Sequence, residues 1–161
     1  MSFTHRTHPG RRVARVDEDA VRELHAATVI LESLAVRRAP PFDAARRAGL
    51  RAANARLRAA RDPVTAALAD RDLHARLVEP GADAELRRTL RPIEAALQPL
   101  AVGGDARGVR RHADEHDAVI DALAEGDHAR AAERLREHLA GRLPALLAGV
   151  ANRTGHAAGR A

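Results

Sequence analysis

Cysteine, tryptophan, tyrosine and lysine are all missing from this chain of 161 residues. Without cysteine there are no disulfides and no thiolate zinc sites. Phe3 and Phe42 are the only aromatics, which removes the stacking platforms that single-stranded nucleic-acid binders use. No β-branched or aromatic run marks a strand. No apolar run approaches the roughly 18 residues that cross a bilayer, and Met1–Gly10 lacks the hydrophobic stretch of a secretory signal. The chain is rich instead in helix formers: 38 alanines, with leucine, arginine and glutamate. An all-α fold is expected. The 27 basic residues, all arginine, outnumber the 22 acids to give +5. The two signs are interleaved, so they read as a solvated surface and not as a nucleic-acid footprint. Neither membrane association nor direct DNA binding is expected, and the cytoplasm is the expected compartment.

Helix signals follow one another from Asp17, after a segment 1–16 that holds four arginines and no acid and reads as a flexible basic tail. Helices are predicted over about 18–38, 42–61 and 63–79, the last two divided by Asp62-Pro63. Three more follow over about 83–99, 106–124 and 127–150, the final one bent near Pro144. Residues 154–161 are expected to fray. One folded domain over 17–153, a single six-helix antiparallel bundle with an internal pocket, is the simplest result.

Histidine placement carries the chemistry. On the third helix Asp70 and His74 lie four residues apart, inside an apolar face of Ala66, Ala67, Leu73 and Leu77. On the fifth, His112 and His116 fall within a stripe of Val109, Ala113, Val119, Ile120 and Leu123. On the sixth, His138 borders Ala131, Leu135, Leu139 and Leu146. Three helices therefore aim imidazole, and one of them also carboxylate, at a common interior. An unpaired buried carboxylate costs on the order of several kcal/mol. A divalent metal would relieve that cost, and so would ordinary hydrogen-bonded core histidines; spacing alone fits both. His25, His128, His5, His8 and His156 have no matching partners and are expected at the solvent. Arg47, Arg51 and Arg58 form a narrow stripe on the second helix, read as a solvated or subunit-facing surface before a phosphate contact.

The stretches ALADRDLHARLVEPGADAELRRTL and ADEHDAVIDALAEGDHARAAERLREHL resemble the FCD domain. That is the all-helical C-terminal effector-binding domain of FadR-type regulators in the GntR transcription-factor family. The resemblance rests on Asp70 with His74, Glu115-His116 with Ile120, the Gly126-Asp127 break and His138-Leu139, and it spans about 17–150. It implies a divalent ion, zinc first with nickel or manganese as alternatives, held by Asp70, His74, His116 and His138. Open coordination positions would face a small organic acid effector. It also implies a dimer, either a homodimer or a heterodimer with a full-length regulator, because the winged-helix DNA-binding domain of such regulators is not in these residues. GRRVARV resembles the end of a wing and its linker.

Two differences from the family concern the pocket. Family members commonly place an arginine four residues before the Glu of the first helix, where it meets the ligand's carboxylate; here Thr28 precedes Glu32. The aromatic usual before the first ligand histidine is Leu73, which is expected to enlarge the cavity. Arg142 follows His138 by one turn and either takes over anion contact or packs its stem and reaches water. Thr28, Glu32 and Arg142 are thus the expected ligand-binding residues, with His112 behind the metal ligands. The expected function is metal-dependent sensing of a carboxylate by a non-enzyme. A metal-dependent hydrolase-like enzyme, with Glu32 its one nominated base, and a structural helical bundle with a vestigial site are the alternatives.

Overall fold

The computed structural model describes residues 17–101 and 105–158, with side chains as far as residue 153. The expected tail over 1–16 and the side chains of His5, His8 and His156 lie outside these.

Aspartate starts nearly every helix. Asp17, Asp43, Asp62, Asp83, Asp105 and Asp127 are N-caps, each accepting from the backbone N–H three residues on. Such a cap contributes about 1 kcal/mol. They open α1 (Glu18–Arg38), α2 (Ala44–Ala59), α3 (Pro63–Val78), α4 (Ala84–Leu97), α5 (Ala106–Ala124) and α6 (His128–Ala140). Pro63 occupies the first turn of α3, where a missing N–H costs nothing. Single 3₁₀ turns, Glu79–Gly81 and Gln98–Leu100, follow α3 and α4. The sixth expected helix is interrupted beside Pro144: α6 ends at Ala140 and α7 (Leu143–Ala158) resumes beyond Gly141 and Arg142. The backbone is helical to Ala158, past the point where fraying is expected from sequence.

The turn between α5 and α6 needs glycine. Gly126 has φ 77°, Asp127 N–H reaches back to Ala122 C=O at 2.9 Å, and Gly126 N–H to Leu123 C=O at 3.1 Å. This left-handed closure satisfies the end of α5 and sends α6 back along it. Gly81 is needed for closeness: a Cβ there would sit 1.9 Å from Ala35 O, so the turn after α3 can lie directly on α1.

Packing runs as a closed ring: α4 touches α1, α1 touches α6, then α5, α2 and α3 follow, and α3 returns to α1. The main core joins Val36, Leu50, Leu73, Leu77, Ile120 and Leu135, all at most 2 % exposed. A second apolar cluster of Val21, Leu97, Leu100, Leu146 and Val150 seals the α7 end. Between the two lies the polar interior. No described helix is long and apolar enough to cross a membrane.

Candidate metal centre

Four buried side chains from three helices meet between these cores. Asp70 and His74 come from adjacent turns of α3, His116 from the inner face of α5, and His138 from the last turn of α6. One ligand atom from each lies within 4.8 Å of all the others. Nε2 of His116 is 3.1 Å from Nε2 of both His74 and His138, which are 3.3 Å apart. Asp70 Oδ1 is 3.9 Å from His74 Nε2 and 3.7 Å from His116 Nε2.

The protons can be located. His74 Nδ1 is 2.7 Å from Glu32 Oε2, and His138 Nδ1 is 2.7 Å from Glu115 Oε2. A carboxylate only accepts, so both imidazoles donate from Nδ1, and in the neutral ring Nε2 is a bare lone pair. With all three rings neutral, at most one proton, on His116 Nε2, lies among the three nitrogens; a charged His74 would add a second. The rest of the cluster has no donor to share, and Asp70 Oδ1 is buried with no hydrogen-bond partner. Burial, reinforced by His74, pushes the His116 imidazole down to about 3, and burial with His116 and His74 lowers His138 as well. Both stay neutral near pH 7. For His74 burial acts downward, but Glu32 and Asp70 outweigh it and raise the ring. For Asp70 burial acts upward, yet Arg142, His74 and His116 together hold the carboxyl low.

These donors fit a divalent ion. Imidazole nitrogens about 2.0–2.1 Å from a shared centre, at tetrahedral or octahedral angles, lie about 2.9–3.4 Å apart. The observed 3.1–3.3 Å falls inside that range. Histidine ligands backed by carboxylates on the far nitrogen are the arrangement that fixes ring orientation at metal sites. Glu32 and Glu115 supply that backing here.

Arg142 projects from the joint between α6 and α7, with Nη1 2.8 Å from Asp70 Oδ2. Its guanidinium is thus engaged by Asp70, a partner that the sequence reading of either anion contact or water did not contain. Thr28 and Glu32 are buried on α1 and line a cavity of about 430 Å³ beside the cluster, together with Asp70, His74 and Arg142. Leu73 packs in the main core and does not line that cavity, so the expected enlargement has no basis. His112 is not among the converging ligands; it stands edge-on to His138 at 5.3 Å between ring centres.

Four residues with a place here are misplaced or given no role by the sequence alone. His25, expected at the solvent, is buried and donates from Nε2 to Leu139 C=O at 2.8 Å. His128, also expected there, is half-buried with Nδ1 3.3 Å from Val36 C=O. Glu115 was part of a motif without a role, although its position one turn before Val119 on α5 does place it at the edge of the buried stripe. Glu94 is a further inward carboxylate: it lines the cavity, and burial and then Glu32 push its pKa up.

A family model described as FCD domain matches residues 23–141, more than two thirds of the chain and all four converging side chains. No curated protein and no solved structure matches the chain.

Proposed function

The chain belongs to the FCD family, whose domains are ligand-sensing parts of GntR-type regulators. On that premise we propose that this domain senses a small carboxylate through a divalent metal held by Asp70, His74, His116 and His138. The observation that carries the reading is the convergence of three imidazole Nε2 atoms on the unpartnered Asp70 Oδ1. Three nitrogens and one oxygen suit zinc first, with nickel and manganese as alternatives. The ion, when bound, supplies a Lewis-acidic face that a carboxylate can occupy.

The protein's own side chains do the remainder. Glu32 and Glu115 fix the rings of His74 and His138 by accepting their Nδ1 protons. Arg142 orients Asp70 from the far oxygen. The cavity beside the cluster has the size of a small-molecule site, and Leu97, Leu139 and Leu146 give it an apolar wall. Arg71 and Arg91 also line it, and neither has an ion pair among the described residues, so both are available to an entering acid. Occupancy would be passed on by protein contacts, as a homodimer or in a pair with a full-length regulator, in the cytoplasm. Sedimentation of the purified chain as a strict monomer at micromolar concentration would remove the dimer.

A hydrolase would need a free carboxylate beside the reacting water. Glu32 and Glu115 each back an imidazole, Glu94 is a further carboxylate on the cavity wall, and it is membership of a ligand-sensing family that favours sensing over catalysis. Elemental analysis of the wild type beside His116→Ala tests the core of the reading. About one divalent ion per chain in the wild type, and its loss in the variant, is expected; equal content would overturn the assignment.

A further inference from the structure

The wall that α1 gives to the cavity is made of hydrogen-bond acceptors. His25, Thr28 and Glu32 lie at positions i, i+3 and i+7, on one face of the helix over about 10 Å of its axis. All three are buried and all three line the cavity. The hydrogen bond from His25 Nε2 to Leu139 C=O selects the tautomer whose Nδ1 is a lone pair. Thr28 spends its hydroxyl proton on Leu24 C=O at 3.0 Å, which leaves its oxygen able only to accept. Glu32 receives the His74 proton on Oε2 and keeps Oε1 without a hydrogen-bond partner among the described residues. No proton on this wall is available to a ligand. The cations that line the cavity are on other elements: Arg71 on α3, Arg91 on α4, and Arg142 between α6 and α7.

From this division we infer that the effector is an acid that also carries hydrogen-bond donors, hydroxyl or ammonium, along the edge that faces α1. An acid without such donors would strip water from three buried acceptors and return nothing to them. Sites built to bond a ligand's O–H or N–H reject analogues that lack it for this reason. Thr28 is the residue that sets this preference with least disturbance to the metal ligands, because its hydroxyl bonds only its own helix. The inference rests on the reading of the cavity as an effector site.

Calorimetry on the metal-loaded protein tests it with acids matched in skeleton: propionate, lactate and alanine; succinate, malate and aspartate; glutarate, 2-hydroxyglutarate and glutamate. In the set whose length fits, the hydroxy or amino acid is expected to bind at least tenfold more tightly than the plain acid. Comparing those two tells hydroxyl from ammonium. Thr28→Val, which keeps the shape and removes the acceptor, should shrink that preference severalfold and leave the plain acid's affinity unchanged. A plain acid that binds as tightly as its substituted partners overturns the inference while leaving the effector site standing. If no acid binds although elemental analysis finds the metal, the effector site falls and this inference with it. Loss of the metal itself would place the failure one step earlier, at the centre.

Discussion

Two groups of charged residues in this bundle are built from similar side chains and treat them in opposite ways. Along the seam between α2 and α5, Arg51 meets Asp121 at 2.6 Å, and Arg58 meets Asp114 at 2.7 Å and Asp117 at 2.8 Å. Arg47, on the same stripe, donates to Phe42 C=O. The seam is exposed and every one of these arginines has a protein partner. Pairs of that kind contribute roughly 0–1 kcal/mol each. A few residues away on the inner side of α5, His116 sits fully buried among other nitrogens, and Asp70 Oδ1 has no hydrogen-bond partner. A charge matched within the fold is architecture. A buried donor set left unmatched is where the fold is prepared to receive something else.

That contrast can be broken by taking the metal away. Chelation should leave the seam intact and strip the interior of the ion proposed to hold it. An ion present at about a thousandfold excess over its Kd contributes about 4 kcal/mol, so the melting temperature should fall by about 10 °C. A chelated protein that melts where the loaded one does would show that the interior needs no ion.

Acid should sharpen the same contrast in the metal-free protein. His116, pushed down to about 3, and His138, lowered too, take up protons in the unfolded chain below about pH 6.5 but not in the folded one. Stability is therefore lost as pH falls below about 6.5, for His116 down toward 3, by roughly 1 kcal/mol per unit. His74 has the opposite sign: its raised pKa adds stability as pH drops toward 6.5 and nothing further below. Denaturant titrations at successive pH values should bend downward below 6.5, and His116→Leu should flatten the curve.

Smaller effects follow from the supporting carboxylates. Glu115→Gln keeps an acceptor for His138 Nδ1 but removes the charge, and should weaken metal affinity about 10- to 100-fold. Competition against a chromogenic chelator would read this; an unchanged affinity would make Glu115 a bystander. Smallest of all, Arg58→Ala should cost less than about 1 kcal/mol and leave metal content untouched. Were it to release the ion, the two charged regions would not be independent.

The helices were legible because their starts are written in the chain. An aspartate stands before each of the first six, and Pro63 and Gly126 mark turns with few alternatives. The Asp70–His74 spacing and the inward faces of His116 and His138 were legible for a similar reason, since helical periodicity alone sets which way they point. His25 and His128 were not, because their partners are main-chain carbonyls of Leu139 and Val36, and a carbonyl has no signature in sequence. Arg142 was half legible. One turn of offset from His138 placed it near the interior, but its partner lies on α3, across a packing that no local pattern specifies. Asn54 was passed over altogether: it is buried on α2 and donates to Ala113 C=O and Asp117, both at 2.8 Å.

The grip of Arg142 on Asp70 bears on the charge balance of the centre. Formally, that guanidinium offsets the one carboxylate among the four converging side chains. Of the two carboxylates behind the rings, Glu115 is also paired with Arg111 at 3.6 Å, whereas Glu32 has no arginine partner among the described residues. An ion entering the cluster would therefore meet carboxylates already partly balanced by arginines on α5 and at the α6–α7 joint.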